Sequence, residues 1–530
     1  MIEVRHTSNR HIIKRIIVRG NLILDTPTCL GSGDIDSPLD LALLRDSISN
    51  HALLTGSSIT GALRNYLHEY DRGYNVREYR NELATKLFGD LFAYEDEKNL
   101  SEKEKLKLRE KDNQSLLIIN DAVSKAPIQA ELRDGVKIDS LTRTAENKAK
   151  YDLELLKAGT EFNLSFELLI DKDTDEDTLK KALAVALRGL QATEGSKNGE
   201  ISIGTKKRRG FGRCHVKEWQ VWEFDMTNPN QRLQWLTLDR DWAQSYTKLS
   251  NISESIETAL KVQLYPKYKR DRLTIEATFI LASPLLIRSV QVSTDKAPDV
   301  VHLKSRRDEE LKPILSGTAL TGALRHRAEK IINTLTQGKK QLLTEQIVNE
   351  IFGFVKDKNQ KLESTNNEQK KKAKASRLTV DESIIEGATK DNDLVQNRIA
   401  IDRLTGGALH GALFNEQPIF GSENTKLEIK LELRQPEDSE IGLLLLLLKD
   451  LWTGDLPVGG TSSIGRGRLQ GKEAIIIWQH EDKPKHWKIQ LKNNQLHIED
   501  KLNLNNSQEE VQKELNNLVS QLLKKVEMHE

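Results

Sequence analysis

The stretch "LTGSSITGALR" at residues 54–64 recurs almost unchanged as "LSGTALTGALR" at residues 315–325. Each copy places a glycine and a hydroxyl-bearing residue just before a helical pattern that carries an arginine one turn in. Backbone N–H groups at such a helix start favour an anion, for example a phosphate group. A plain helix cap is the alternative, and the repetition favours ligand contact. The candidate anion-binding residues are Ser57, Ser58, Arg64, Thr318 and Arg325.

Further pairs of motifs follow in the same order. "KLFGD" and "EIFGF" share Phe-Gly, then "IDSLT" pairs with "IDRLT", and "RGFGR" pairs with "IGRGR". The members of each pair lie 255 to 264 residues apart. Ordered motifs at a nearly constant offset indicate two homologous domains in tandem, and the offset is too long for a solenoid repeat.

Composition limits the class of protein. The chain has 530 residues, more than one hydrophobic core usually supports. Lys+Arg 80 and Asp+Glu 79 give a net charge of +1, so any electrostatic function needs segregated patches. Only two cysteines occur, which excludes a disulfide framework and a zinc ribbon. The longest apolar run, at 441–448, is too short to cross a bilayer, and the N-terminus lacks the apolar core of a signal peptide. We therefore predict a cytoplasmic protein without a membrane partner.

The hydrophobic pattern predicts an α+β fold. Alternating residues predict strands at 16–24, 162–169, 273–281 and 427–433, and each glycine motif predicts a helix from about Thr60 or Thr321. A second helix follows in each copy, and its leucine run in the second copy is predicted to be core. This order fits two tandem ferredoxin-like domains. The predicted segments are a first domain at 1–225, a linker at 226–270, a second domain at 271–478 and a C-terminal extension at 479–530.

Two charged insertions, at 94–114 and 356–376, are poor in apolar residues and are predicted to be mobile. In the polar C-terminal tail, Ser507 is predicted to cap an amphipathic helix.

The stretch "GTKKRRGFGR" at 204–213 holds five basic residues and no acid. Its glycines allow close backbone approach, and such loops are typical of phosphate-backbone binding, with an aromatic ring available to stack a base. The corresponding "GGTSSIGRGR" at 459–468 keeps the glycines and two arginines, and a solvated loop is the alternative for either. Neither matches a Walker or Rossmann fingerprint. The candidate RNA-binding residues are Lys206, Lys207, Arg208, Arg209, Phe211, Arg213, Arg466 and Arg468.

The ordered set "GSGDIDSPL", "LTGSSITGALR", "FGD", "IDSLTR" and "RRGFGR" resembles the RAMP superfamily of CRISPR proteins. In particular it resembles a tandem backbone subunit of a type III-D-like effector complex, over roughly residues 15–225 and 270–475. The resemblance implies RRM-like palms that bind guide RNA and inserted hairpin thumbs that displace a base of the guide–target duplex. The implied partners are guide RNA, complementary target RNA, further RAMP proteins and the large polymerase-like subunit.

The resemblance also implies catalytic aspartates. Asp36 in "DIDSP" matches the family's Ile-Asp-Ser-Pro context, with Asp34 as its neighbour and alternate. In the second copy Asp299 is assigned from its distance to Gly317, with Asp295 as the alternate. Asp36 and Asp299 are also the expected ligands of a divalent metal ion. Turn formation is the ordinary alternative role for any loop aspartate.

The segments "IDSLTR" (138–143) and "IDRLTG" (401–406) resemble the base of the family's thumb. Arg143 and Arg403 are therefore expected to contact RNA, and Asp139 and Asp402 to cap or pair locally.

No Ser/His/Asp arrangement and no HExxH motif occurs. The implied reaction instead uses the RNA ribose 2′-OH as nucleophile, with Mg²⁺ or Mn²⁺, and yields a 2′,3′-cyclic phosphate and a 5′-OH.

Two alternative functions are open. One is a scaffold of the same complex that binds RNA without cutting it. The other is a nucleotide-binding enzyme with a palm-type fold, against which stands the lack of a repeated acidic pair.

Overall fold

The computed structural model describes most of the chain. The described residues are 11–33, 42–94, 96–110, 112–139, 142, 144–192, 197–238, 251–264, 269–289, 298–307, 310–354, 373–388, 394–481, 483–493, 495–503 and 505–528. Residues up to 264 are called the first repeat, and residues from 269 the second repeat.

The first repeat alternates strands and helices. Its elements are β1 (Ile12–Leu24), β2 (His51–Leu54), α1 (Gly56–Arg72), α2 (Leu83–Phe88), α3 (Glu102–Arg109), β3 (Leu117–Ile119), β4 (Ala122–Pro127), β5 (Ala130–Ile138), β6 (Ala145–Leu156), β7 (Glu161–Asp171), α4 (Glu176–Arg188), β8 (Cys214–Asp225), α5 (Pro229–Leu236), β9 (Asn251–Ser253) and α6 (Ile256–Leu260).

The second repeat follows the same plan. Its elements are β10 (Arg272–Leu281), β11 (Arg288–Ser289), β12 (Val300–His302), β13 (Lys304–Arg307), β14 (Glu310–Leu315), α7 (Gly317–Leu335), α8 (Gln341–Phe352), β15 (Leu378–Val380), β16 (Ser383–Glu386), β17 (Gln396–Ile401), β18 (Ala408–Gln417), β19 (Lys426–Arg434), α9 (Asp438–Trp452), β20 (Leu469–Gln479), β21 (Lys485–Lys492), β22 (Gln495–Asp500) and α10 (Gln508–Glu527).

The two main sheets share a central arrangement. The first has the order β2-β4-β7-β1-β8-β9 with β3 also on β7, and the second has the order β13-β14-β16-β19-β10-β20-β21-β22 with β15 also on β19. The opening strand, β1 or β10, lies between two antiparallel neighbours. Helices α1 and α4, or α7 and α9, pack on one face of the sheet. The predicted pair of ferredoxin-like domains is confirmed, and each domain carries an inserted hairpin, β5–β6 or β17–β18.

The cores follow from the sequence pattern. Strand β7 alternates buried and half-buried residues along its whole length, as a strand with one covered face should. In α9 the residues Leu443, Leu444 and Leu447 are fully buried, which confirms that the leucine run is core. No helix in the described part of the chain is long and apolar enough to span a membrane.

The first helix of each repeat begins one turn before the predicted Thr60 and Thr321. The caps are Thr55 and Ser316, whose hydroxyls accept hydrogen bonds from the third amide of the helix, that of Ser58 or Ala319. The hydroxyls of Thr60 and Thr321 donate back to the carbonyls four residues earlier. The capping signal therefore lies in the residue before the glycine.

Three segments of the chain are more ordered than the charged composition indicates. The first insertion, predicted to be mobile, forms α3 with a capping box at Ser101 and holds Tyr94 buried. Within the predicted linker, β9 pairs with β8 and α6 packs into the first core. In the C-terminal extension β21 and β22 widen the second sheet, and α10, capped by Ser507 as predicted, packs on α9. Most of the second insertion lies outside the described residues.

One buried and two partly buried ion pairs join the two repeats. The buried side chain of Glu382 in the second repeat accepts hydrogen bonds from Arg133 of the β5–β6 hairpin (2.8 Å) and from Arg307. Arg213 pairs with Asp381 at 2.7 Å, and Arg434 pairs with Glu69 at 2.8 Å. Burial alone would raise the pKa of Glu382, but Arg133 and Arg307 hold that pKa below its usual range. These pairs fix the position of one repeat on the other.

Candidate nucleic-acid interface

One groove runs across both repeats. Its volume is about 2500 Å³, and it is lined by the starts of α1 and α7, the β5–β6 hairpin and the two glycine loops. Among the predicted anion-binding residues, the hydroxyls of Ser57, Ser58 and Thr318 lie on its wall. The structure thus brings the repeated glycine motifs to a single continuous surface.

The glycine of each motif is required by packing. A Cβ on Gly56 would lie 2.5 Å from the carbonyl oxygen of Ile119, and a Cβ on Gly317 would lie 2.4 Å from that of Arg209. Each helix therefore starts directly against a neighbouring backbone. Open space surrounds Gly61 and Gly322 on the groove side, since a Cβ there would meet no atom within 4 Å.

The arginine of each motif has a structural role that the sequence analysis missed. Arg64 donates to the carbonyl of Gly89 at 2.8 Å and pairs with Glu78, and Arg325 donates to the carbonyl of Gly353 at 2.8 Å. The Phe-Gly motif and the arginine thus form one unit in both repeats. Arg64 therefore has a structural role within the first repeat, and its contact with RNA stays a prediction. Arg325 lines the groove while anchored in this way.

The two helix starts differ in charge. The Gly56 amide of α1 donates to the Asp121 carboxylate at 2.6 Å, so the positive end of this helix already has an anionic partner. Glu382 occupies the position of Asp121 in the second repeat, and it binds Arg133 and Arg307 instead. The start of α7 is therefore the better site for an external anion.

The basic loop of the first repeat lies against the start of α7. Lys206 has a left-handed backbone (φ 53°), a 3-10 turn at Lys207–Arg209 follows, and Gly210 (φ 83°) ends it. A Cβ on Gly210 would lie 2.3 Å from the backbone nitrogen of Glu382, so only glycine allows this approach. The first repeat supplies the basic loop, and the second repeat supplies the helix start.

Cations crowd this junction, although the carboxylates of Glu432 and Glu69 lie near enough to act on Arg208. Burial and the nearby Arg434 lower the pKa of Arg208 to about 10, and burial and Arg325 lower that of Arg209. The pKa of Lys207 is lowered by burial and by Arg208. Arg208 donates to Thr379 at 3.0 Å, whereas the Nη1 atom of Arg209 is buried without a hydrogen-bond partner among the described residues. Crowded, partly desolvated cations beside a helix N-terminus favour an anionic ligand.

Three predicted RNA-binding side chains are buried inside the protein. Phe211 packs with Leu153 and Leu155, so its ring is not exposed to a base. Arg213 is held by Asp381 between the repeats, and Arg466 is held by Glu416 at 2.9 Å. All three side chains therefore have structural partners, and Phe211 and Arg213 also border the groove, so their assignment to RNA stays a prediction.

An aromatic residue that the sequence analysis missed lines the groove. Tyr151 of β6 crosses the hairpin above Gly135, where a Cβ would lie 2.0 Å from its ring. The ammonium of Lys206 lies 3.5 Å from the centre of the same ring. A glycine directly opposite an aromatic residue in a hairpin is the signal that could have identified this position.

The second glycine loop is weakly charged. Thr461 and Ser462 line the groove, and Arg468 is exposed and donates to the Gly454 carbonyl at 2.7 Å. This loop keeps the shape of the first loop without its cluster of cations.

The "IDSLTR" and "IDRLTG" segments form the turns that close the two hairpins, which corrects their placement at the thumb base. Asp139 and Asp402 cap these turns through backbone amides, as expected. Arg403 is exposed at its turn, and Arg143 lies outside the described residues.

The proposed catalytic positions are only partly described. Asp34, Asp36 and Asp295 lie outside the described residues. Asp299 accepts a hydrogen bond from the Asn415 amide of β18 at 2.8 Å, so one carboxylate oxygen ties its loop to the hairpin. The described residues contain no cluster of three or more His, Cys, Asp or Glu side chains suited to a metal ion. The described residues therefore do not form a metal site by themselves.

Comparison with known proteins identifies the family. No curated protein matches the chain. The family model described as "RAMPs: RAMP superfamily" matches twice, at residues 21–215 and 278–470. These matches together cover well over half of the chain and coincide with the two ferredoxin-like repeats. RAMP proteins act in CRISPR complexes with RNA and other subunits, and some of them are ribonucleases while many are not catalytic. The chain belongs to the RAMP superfamily, with two RAMP domains in tandem.

Proposed function

We propose that this chain is a guide-RNA-binding backbone subunit of a type III CRISPR effector, similar to those of type III-D. Its partners are guide RNA, complementary target RNA, other RAMP chains and the large polymerase-like subunit, in the cytoplasm. The observation that carries RNA binding is the basic junction: Lys207, Arg208 and Arg209 of one repeat lie beside the α7 start of the other. Phosphate groups are the anions that such a groove fits best.

The proposed reaction is cleavage of the target RNA at two positions, one in each repeat. Asp36 and Asp299 are the proposed catalytic residues, with Asp34 and Asp295 as alternates, and the ribose 2′-OH is the nucleophile. The bond from phosphorus to the 5′ oxygen breaks as the 2′ oxygen attacks, which leaves a 2′,3′-cyclic phosphate and a 5′-OH. A divalent ion, Mg²⁺ or Mn²⁺, is proposed to assist this reaction, although the described residues supply no ligand cluster for it.

A scaffold role is a second candidate for the second repeat. It is favoured by the hydrogen bond from Asn415 to Asp299, because that carboxylate already has a structural task. The other alternative, that the chain is a nucleotide-binding enzyme, is supported by no observation of this kind.

RNA binding is tested with the full chain and a fluorescent single-stranded RNA. The double variant Lys206→Ala, Lys207→Ala removes two groove cations without removing an ion pair between the repeats. Each lost phosphate contact should flatten the slope of log K against log salt by about 0.7, so two contacts give about 1.4. The matched control is Lys513→Ala, Lys524→Ala on the exposed face of α10, which should leave the slope unchanged. Equal slopes in both double variants would overturn the proposed interface.

A further inference from the structure

Four arginines of the first repeat enter the contact between the repeats: Arg133, Arg208, Arg209 and Arg213. Three of them have a carboxylate of the second repeat close by: Glu382 for Arg133, Asp381 for Arg213 and Glu432 for Arg208. Arg209 differs, because no carboxylate among the described residues pairs with it or acts on its charge. One arginine of the contact is therefore left without a protein anion.

Arg209 lies where the two repeats approach each other closely. Its carbonyl oxygen would be 2.4 Å from a Cβ on Gly317, the first residue of α7. Its Nη1 atom is buried without a hydrogen-bond partner among the described residues, and the positive charge of Arg325 in the second repeat acts on it. A buried donor without an acceptor and a neighbouring like charge both cost free energy. The protein alone thus forms this part of the contact at a cost that an anion would remove.

The groove gives an anion access to this place. Arg209 of the first repeat lines the groove together with Thr318 and Arg325 of the second. Arg325 is held by the Gly353 carbonyl and lies 3.4 Å from Glu329, so it mainly contributes charge. An anion between Arg209 and the Thr318 hydroxyl would contact both repeats at once.

We propose that a phosphate group bound at Arg209 completes the contact between the repeats, so that phosphate binding and docking of the repeats stabilise each other. A phosphate oxygen accepts the hydrogen bond that Arg209 lacks, and its charge offsets the repulsion from Arg325. Because the site needs both repeats, the ligand favours docking by the same free energy that docking adds to its affinity. That the phosphate belongs to an RNA backbone rests on the proposed function; the site itself does not.

The test compares thermal unfolding of the full chain in sodium phosphate and in sodium chloride of equal ionic strength, by scanning calorimetry. Phosphate also stabilises proteins that have no site for it, so only differences between variants count. Arg209→Met keeps the apolar stem and removes the charge. The matched control is Arg232→Met, which changes an exposed arginine of α5 in the same way.

The wild type and the control should gain more from phosphate than Arg209→Met does. At ten times the dissociation constant, the ligand favours the docked state roughly elevenfold, which should raise the unfolding midpoint by about 1–2 °C. In chloride, Arg209→Met should unfold no lower than the wild type, because the cation that it removes has no partner. Single-stranded RNA in place of phosphate should give the same order of gains.

Hydrogen exchange in the segment 381–386 reports on docking, because these residues lie at the contact but do not line the groove. Phosphate should slow exchange there in the wild type and not in Arg209→Met. Unchanged exchange in the wild type would overturn the inference. So would equal gains of the three proteins from either ligand, or a lower midpoint of Arg209→Met in chloride.

Fluorescent RNA binding by the wild type separates this inference from the proposed function. RNA that binds while phosphate gives equal gains would overturn the inference and leave the proposed function standing. Absence of RNA binding, with a gain from phosphate that needs Arg209, would count against the proposed function alone.

Discussion

In the loops at 204–213 and 459–468 the backbone takes the same path. Lys206 and Thr461 are both left-handed, a short 3-10 turn follows each, and glycines with positive φ end both turns. The side chains differ, since "KKRR" in the first loop corresponds to "TSSI" in the second. The two repeats thus share the loop shape, whereas the cluster of four consecutive cations occurs only in the loop that lies between the repeats.

The two helix starts differ in whether a carboxylate binds them. The start of α1 binds Asp121, whereas the corresponding acid of the second repeat, Glu382, binds Arg133 and Arg307 in the contact between the repeats. The cations of the first repeat and the open helix start of the second therefore meet. Neither repeat alone contains the junction that we propose for RNA, which gives a physical reason for fusing two domains in one chain.

The largest expected effect is on target cleavage, which tests the catalytic role of each repeat separately. In an assembly with guide RNA, Asp36→Ala should erase one target cut and leave the other, and Asp299→Ala should do the converse. A loss of about a thousandfold corresponds to roughly 4 kcal/mol of transition-state stabilisation. End-labelled target on a denaturing gel in Mg²⁺ measures both cuts.

The conservative variant Asp299→Asn distinguishes the two roles of this residue. An amide oxygen still accepts the hydrogen bond from Asn415 but loses the charge, so a catalytic Asp299 should lose its cut in this variant as well. Retained cutting in Asp299→Asn would show that Asp299 is not catalytic and would move the role to Asp295, whereas a wild type that makes only one cut would make the second repeat a scaffold.

The next effect concerns the contact between the repeats. Glu382→Ala leaves Arg307 without a carboxylate, whereas Arg133 keeps Glu131, so the loss should be about 3 kcal/mol of stability, the lower end for a broken buried pair. Urea unfolding of the full chain measures the loss. Asp177→Ala, which removes an exposed pair with Lys181 on α4, is the control and should unfold as the wild type does. If the two variants unfold alike, the buried network does not hold the repeats together.

A smaller effect tests whether the second loop differs only in charge. Ser462→Lys with Ser463→Arg should steepen the salt dependence of RNA binding by about 1.4, because two cations join the groove wall. Ser462→Ala with Ser463→Ala changes the same positions without charge and should not alter the slope. A charged variant that binds like the alanine variant would show that this part of the groove does not face RNA.

The fold was predictable because alternation, helix spacing and the doubled motifs all indicate the same arrangement. The site was predictable only in part. "LTGSSITGALR" and "RRGFGR" identified the right segments, but Arg64, Arg213 and Phe211 turned out to be internal. Their roles depend on contacts to Gly89, Asp381 and Leu153, which lie far away in sequence. Glycine and arginine patterns mark a loop, and only the packing of its two sides shows which residues face the groove.

The smallest effect concerns a pair that only the first repeat has. His215 and Asp25 form a hydrogen bond of 2.8 Å beside the β1–β8 contact, whereas Gln470 and Ala282 stand at these positions in the second repeat. The hydrogen bond that His215 donates to the Asp25 carboxylate raises the pKa of His215, although burial opposes it. A histidine whose pKa is raised on folding contributes stability below its unfolded pKa of about 6.5, and loses that contribution as the pH rises through the folded value.

The wild type should therefore lose thermal stability relative to His215→Gln between about pH 6 and pH 8, measured by scanning calorimetry at matched ionic strength. The glutamine variant makes the first repeat resemble the second and does not titrate, so the difference between the two proteins isolates this pair. A difference that stays constant across the range would show that the charge on His215 is not coupled to folding.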